Sequence, residues 1–166
     1  MDDWPVTGYD LAVLGRPVAH SLSPAMHHAA LNCLAQTVPA FAAWRYHKFE
    51  VAPEDLPDAL ARLATAGFRG INLTVPHKIQ AVALVAEISD EARRAGAVNT
   101  LVRLPGTPHF AGHNTDGYGL LRAIEEGLET TADAQPCVLL GAGGAARAAA
   151  VALLDAGCPE LILANR

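Results

Sequence analysis

Cysteine is scarce in this chain, and its placement is uninformative for a disulfide framework. Cys33, Cys137 and Cys158 are odd in number, widely spaced and form no C-x-x-C pair, which fits a reduced, cytoplasmic setting with each thiol packed as a small core residue. No block of Lys or Arg stands out against a net charge of -5, which argues against a nucleic-acid or anionic-membrane surface. A few well-placed cations can still oppose that global charge and meet a small acidic ligand. No apolar run is long enough to span a bilayer. Met1-Asp2-Asp3-Trp4-Pro5 is acidic where a signal peptide would be basic, so a soluble, cytoplasmic protein is expected. Internal repeats and low-complexity segments are missing too. What remains is 166 residues, 51% of them hydrophobic, enough for one cored domain or for one domain plus part of another.

The most telling stretch is Gly70–Lys78, G-I-N-L-T-V-P-H-K. Ile71, Leu73 and Val75 alternate with Asn72 and Thr74, the period of a strand with one packed and one polar face. Pro76 cannot donate a ladder hydrogen bond, so the strand should stop there and a helix should run over His77–Val85. That arrangement presents Asn72, Thr74 and Lys78 at the carboxyl end of a strand, where open α/β sheets bind ligands. By spacing alone, Lys78 is equally readable as a solvated lysine at a helix start.

Ahead of it, Asp10–Gly15 is a short apolar strand ending in glycine. Ser23-Pro24 reads as an N-cap followed by proline at the first helical position, with Met26, Ala29, Ala30, Cys33 and Leu34 recurring at helical spacing. Ser21 and Ser23 before a helix N-terminus could bind a carboxylate. The plain alternative, favoured by spacing alone, is that Ser23 only caps. Phe41–Phe49 fits a strand. Pro53–Ala66 is a helix that should start near Glu54 or Asp55, bury Leu56, Leu60 and Leu63, and stop at Gly67. A helix between strands is the unit of a parallel sheet.

Beyond the central stretch, Asp90–Ala95 is a short helix ended by Gly96. Val98–Val102 and His109–Gly112 flank the turn Pro105-Gly106-Thr107-Pro108 as a hairpin. Asn114-Thr115-Asp116-Gly117 leads into a helix over Tyr118–Glu126 with Leu120, Leu121 and Ile124 on one face. Thr130–Gln135 is polar and patternless, the best boundary. Cys137–Leu140 is a buried strand, Arg147–Ala156 a helix stopped by Gly157, and Leu161–Ala164 the next parallel strand. Between strand and helix lies Gly141-Ala142-Gly143-Gly144-Ala145-Ala146, a G-x-G-x-x-A turn in the strand–turn–helix context of a dinucleotide site. An acidic residue for a ribose 2′-hydroxyl usually follows the second strand, but here Asn165-Arg166 occupies that place. A guanidinium suits a 2′-phosphate, so NADP is favoured over NAD. One such unit is a fraction of a nucleotide-binding domain, and the chain therefore reads as a piece of a longer protein.

Taken together these segments resemble the shikimate dehydrogenase family from about Leu11 to Arg166. The likeness is carried by Gly15–His28 (G-R-P-V-A-H-S-L-S-P-A-M-H-H), Asn72–Lys78, Gly96–Thr100 (G-A-V-N-T), Gly112–Gly117 (G-H-N-T-D-G), Gly141–Arg147 (G-A-G-G-A-A-R) and Asn165-Arg166. The resemblance implies an α/β fold: a mixed, mostly parallel sheet flanked by helices, then the first βαβ unit of a Rossmann-type domain. It implies a catalytic domain over residues 1–115, a connecting helix and linker over 116–135, and a partial NADP-binding domain over 136–166. It also implies reversible, NADP-dependent reduction of 3-dehydroshikimate to shikimate in aromatic amino-acid biosynthesis.

The same resemblance implies site roles. Ser21 and Ser23 would hold the substrate carboxylate, which overturns the plain capping reading. Thr74 and Asn99, with Lys78 and Asp116, would bind the ring hydroxyls and the reacting C3 oxygen, and Asn72 would line the same wall. Lys78 and Asp116 would form the acid/base pair. Gly141, Ala142, Gly143, Gly144 and Ala145 would cradle the pyrophosphate, Asn165 and Arg166 would meet the 2′-phosphate, and Asp90 would lie toward the nicotinamide. His28 stands where relatives often have asparagine. A substrate-contacting glutamine and the rest of the NADP site lie in a C-terminal region beyond Arg166 in relatives. His20, His27 and His77 have no acidic partner at metal-ligand spacing, so no metal is expected. The partner is a small molecule rather than nucleic acid or membrane, and a homodimer is left open. An NAD-dependent quinate/shikimate-type enzyme and a non-catalytic shikimate-binding module are the rival readings.

Overall fold

Leu11-Ala12-Val13-Leu14 has no polar side chain to turn outward, and it forms the middle of the first strand, as expected. The computed structural model describes residues 10–166; the acidic Met1–Pro5 stretch lies outside the described residues. Its elements run β1 (Asp10–Gly15), α1 (Ser23–Ala35), β2 (Arg45–Glu50), α2 (Leu56–Thr65), β3 (Gly70–Leu73), β4 (Glu87–Ile88), α3 (Asp90–Ala95), β5 (Thr100–Arg103), β6 (Phe110–His113), α4 (Asp116–Leu128), β7 (Cys137–Leu140), α5 (Gly144–Asp155) and β8 (Leu161–Ala164). The described residues form two units: one runs to His77 and includes Thr100–Ala111, the other comprises Lys78–Asn99 and Gly112–Arg166.

In the first unit β1 is parallel to β2 on one side and to β3 on the other, and β5 adds antiparallel to β3. The order β2-β1-β3-β5, continued by β6, is the mixed, mostly parallel α/β sheet expected from sequence. Its core holds Leu14, Phe68, Ile71 and Leu101 from strands and their ends, with Leu56, Leu60 and Leu63 from α2, all buried. Each such side chain contributes about 1.5–3 kcal/mol on burial. Pro57 occupies the first turn of α2, where its missing N–H costs nothing, after a 3-10 turn over Pro53–Asp55. Gly67, at φ +92°, ends the segment in a conformation that side chains resist.

In the second unit α4 and α5 share a core in which Leu120, Leu121 and Ile124 pack against Ala132, Leu153 and Cys158. Strands β7 and β8 pair in parallel, Cys137 opposite Leu161 and Leu140 opposite Ala164, so β7–α5–β8 is the expected βαβ unit. Ser89 caps α3 by accepting from the Ala92 N–H, and Gly96 terminates it at φ +58°. Among the described residues no helix is long and apolar enough to cross a membrane.

Several expectations are corrected. No helix covers His77–Val85; a turn leads into a short 3-10 segment, Gln80–Ala83. The Lys78 carbonyl accepts from the Val98 N–H at 2.7 Å, so a distant segment takes the acceptor that a helix would need. Phe41–Phe49 is a strand only from Arg45, because Pro39–Ala43 winds into a 3-10 turn. Ser23 is the first residue of α1 rather than its cap, and its hydroxyl makes no cap bond. The inward side of α1 is carried by His27, His28 and Leu31, while Met26, Cys33 and Leu34 are exposed. Strand β7 is only half covered, since Val138 and Leu140 are exposed.

Candidate active site

In the first unit, Gly15 and Leu73 end neighbouring parallel strands, so the loops after them leave from carboxyl ends. A Cβ at Gly15 would overlap the Thr74 Cγ2, so glycine here lets Thr74 lie against the end of β1. The Thr74 N–H donates to the Leu14 carbonyl at 2.9 Å and fixes that approach. Ser21, Ser23, Thr74 and His20, with Val13 and Val18, line a cavity of about 270 Å³. The Ser23 N–H donates to Ser21 Oγ at 3.3 Å, so Ser21 acts as an acceptor there and keeps its own proton for a ligand. The Lys48 ammonium donates to the Ala19 carbonyl and ties down the same loop. The three side chains assigned to the carboxylate and ring of an acid in this unit thus share one cavity wall.

Behind them is a polar chain that the sequence reading passed over. The Tyr46 hydroxyl donates to Asn72 Oδ1 at 2.7 Å, and Asn72 Nδ2 donates to Thr100 Oγ1 at 3.2 Å. Burial pushes the Tyr46 phenol up to about 12, with a hydrogen bond from Ser23 acting in the opposite direction, so it stays protonated at any physiological pH. The Tyr46 ring stacks on His27 with centroids 4.1 Å apart. His28, the departure from the family's asparagine, accepts the Tyr46 backbone N–H at 3.0 Å and so fastens α1 to β2.

The second unit contains the ionic group. Lys78 Nζ donates to Asp116 Oδ2 at 2.6 Å, with side chains 15% and 26% exposed. Asn99 Nδ2 donates to the other carboxylate oxygen, Oδ1, at 2.7 Å and to Thr115 Oγ1 at 3.0 Å. The Thr115 N–H returns a bond to Asn99 Oδ1 at 3.0 Å. The Asp116 N–H donates to Asn114 Oδ1 at 3.0 Å, an Asx turn at the start of α4, and Asn114 Nδ2 reaches the Ala97 carbonyl. Both carboxylate oxygens therefore have donors, and the ion pair is held in one geometry. An ammonium carries three protons, so one given to Asp116 leaves two for a ligand. Thr115 and Asn114 were not singled out from sequence, although N-T-D ahead of a helix is an Asx-type signal.

The glycine turn of the same unit is open around its backbone. Gly141 is at φ +111°, open only to glycine without strain, and nothing lies within 4 Å of a Cβ built on Gly141 or Gly143. Gly143 precedes α5 without a side-chain cap, so first-turn N–H groups remain for an anion. A close approach falls at Gly144, whose added Cβ would lie 2.8 Å from Lys78 Cβ. Asn165 and Arg166 follow β8 and are exposed, with Asn165 Nδ2 donating to the Arg166 carbonyl. Asp90 starts α3 with its carboxylate in solvent, 3.9 Å from Arg93 Nε. A further cavity of about 280 Å³, among Glu91, Tyr118, Leu121, Val151 and neighbours, is mainly apolar. Among the described residues no His/Cys/Asp/Glu group could hold a metal ion.

Comparison with known proteins gives a consistent picture. Residues 13–101 match the model of the shikimate dehydrogenase substrate binding domain. The chain is 48% identical over 156 residues to the NADP(+) shikimate dehydrogenase of Moorella thermoacetica, covering 94% of this chain and 50% of that protein. Shikimate 5-dehydrogenase of Thermus thermophilus in complex with shikimate superposes with a TM-score of 0.83 at 43% identity, over 95% of this chain and 56% of that one. The same enzyme in complex with NADP(H) and shikimate gives a TM-score of 0.81. The chain spans about half the length of the curated relatives it matches.

Proposed function

Because this chain belongs to the shikimate dehydrogenase substrate binding domain family, we propose that it is the substrate-binding and acid/base part of an NADP-dependent shikimate dehydrogenase. The observation that carries this reading is the Lys78–Asp116 pair, short, partly buried and braced by Asn99. The reaction is the reversible reduction of 3-dehydroshikimate to shikimate in aromatic amino-acid biosynthesis, in the cytoplasm, with a homodimer left open.

Ser21 and Ser23 receive the substrate carboxylate, one hydroxyl proton each. Thr74 and Asn99 take ring hydroxyls, and Asn72 lines the same wall. Lys78 donates a proton to the C3 oxygen as negative charge develops there, and takes it back in the oxidative direction. Asp116 orients the ammonium and stabilises its charge, and is itself held by Asn99. NADPH, when bound, supplies the hydride for C3. Gly141, Ala142, Gly143, Gly144 and Ala145 fit its pyrophosphate, Asn165 and Arg166 its 2′-phosphate, and Asp90 is assigned toward its nicotinamide end. Residues 1–115 form the substrate domain, 116–135 the connection and 136–166 the start of the cofactor domain.

The test is calorimetry with shikimate and NADPH on the protein carrying this chain, followed by absorbance at the reduced-nicotinamide band with shikimate and either NADP or NAD. Binding of both ligands with NADP-dependent turnover is expected. Shikimate binding without turnover would make it a binding module, and preference for NAD would make it a quinate/shikimate-type enzyme.

A further inference from the structure

Helix α4 contains three glycines, Gly117, Gly119 and Gly127, although glycine is the poorest helix former after proline. None of them has the positive φ that favours glycine. Nothing lies within 4 Å of a Cβ built on Gly119 or Gly127. Gly117 is buried, and a Cβ there would lie 2.9 Å from Ala152 Cβ and 3.2 Å from the Ala148 carbonyl oxygen. Carbon atoms in contact sit about 3.5–4.0 Å apart, so a methyl group here would part α4 from α5 by roughly half an ångström or more. Close approach to α5 is therefore the reason for glycine at the position directly after Asp116.

Helix α5 meets the other member of the ion pair in the same way. Gly144, Ala148 and Ala152 recur at every fourth position and so share one side of the helix. Gly144 lies against Lys78, where an added Cβ would be 2.8 Å from the lysine Cβ, while Ala148 and Ala152 lie against Gly117. Between these two approaches the Lys78 ammonium meets Asp116 Oδ2 at 2.6 Å. We propose that Gly117 is a positioning residue for Asp116, and that one side of α5 is the template that sets the spacing of Lys78 and Asp116. This rests on the functional reading above and adds a residue to it. Gly117 has no side chain to offer a ligand and acts through Asp116, whose carboxylate must reach both Lys78 Nζ and Asn99 Nδ2. Lys78 and Asn99 lie outside α4, so an outward shift of that helix stretches both bonds.

The test compares alanine at two positions of one helix in the active enzyme. Gly117→Ala should lower kcat about tenfold or more, since a misplacement of about 1 Å can cost about 10² in rate. It should also raise KM for shikimate about three- to tenfold, the worth of one hydrogen bond, with KM for NADP within about twofold. Gly119→Ala, two positions further along, should leave these constants within about twofold. KM does not depend on how much of the protein is folded, so a variant that only folded less well would leave both KM values alone. Gly117→Ala/Ala152→Gly removes the opposing methyl group and should recover at least about threefold in kcat/KM for shikimate, because contacting residues are non-additive. The Ala148 oxygen keeps that recovery short of complete. Ala152→Val enlarges the same contact from the α5 side and should give the same split, which decides the matter if Gly117→Ala does not fold. An unchanged KM for shikimate, an equal rise in KM for NADP, a matching loss in Gly119→Ala, or no recovery in the double variant would each overturn the proposal. If the wild-type protein neither binds nor oxidises shikimate, the functional reading itself falls, and that outcome is seen before any variant is made.

Discussion

Gly144, the first residue of α5, approaches Lys78 so closely that a methyl group on it would lie 2.8 Å from the lysine Cβ and 3.5 Å from Ala97 Cβ. Real Cβ atoms do not pack at the first distance, so one of the two must move. The helix that follows the glycine turn and the lysine that anchors the ion pair are thus in direct steric register. A change made for one is felt by the other.

Gly144→Ala is therefore expected to lower kcat at least tenfold by displacing Lys78, since a misplacement of about 1 Å can cost about 10² in rate. Gly127→Ala serves as the control. Gly127 lies inside α4 with nothing within 4 Å of an added Cβ. It should keep full activity and gain about 0.5–1 kcal/mol of stability from helix propensity. Steady-state kinetics and thermal melts of the two variants make the comparison. Equal kcat values would remove the proposed steric register.

Asn99 is the brace of the ionic group. It donates to Asp116 Oδ1 and receives the Thr115 N–H. Asn99→Ala leaves that carboxylate oxygen short of a donor and should cost about 10-fold or more in kcat/KM, in line with about 1.5–3 kcal/mol for a hydrogen bond to a charged group. Asn99→Asp should be worse, because a second carboxylate would face Asp116. Thr115→Val, which removes only the hydroxyl, should lose less than either. If Asn99→Asp matched wild type, Asp116 would not need the brace.

Acid should weaken the fold through His77. This side chain is fully buried and neither ring nitrogen makes a well-formed hydrogen bond. Burial lowers its pKa from the ordinary 6.5, against a smaller opposing pull from the Val51 backbone. His27 is lowered in the same direction by burial and by His28. A histidine with a lowered folded pKa takes up protons more readily when unfolded. Its stabilising effect is present in full above 6.5 and is lost as the pH falls toward the folded value. Urea midpoints at pH 7.5 and pH 5.5, values set as roughly one unit either side of an ordinary histidine, should therefore fall on acidification. His77→Phe should flatten that slope whatever its absolute stability; an unchanged slope would remove His77 as a cause.

Much of this architecture can be read locally. Asp10–Gly15 and Asp90–Ala95 match their expected bounds because apolar runs and glycine stops act within a few residues. Strands β7 and β8 follow the same rule, and the glycine turn between β7 and α5 adopts the conformation that its composition permits. Long-range partners decided what was misread. Val98 takes the Lys78 carbonyl, and no pattern within His77–Val85 announces it. In α1, apolar spacing pointed to Met26 and Leu34, but the helix turns His27 and His28 inward because each has a specific contact on Tyr46. Tyr46 itself looked like one aromatic among several. Its value lies in Asn72, 26 positions away, and sequence periodicity has no means of pairing them.

The most direct measurement is the turnover of a Lys78→Ala enzyme beside its affinity for shikimate. Removing a positioned proton donor should lower kcat by about 10²–10⁴, with the dissociation constant for shikimate changed by much less. A variant that still reduced 3-dehydroshikimate at near wild-type rate would contradict the account at its centre.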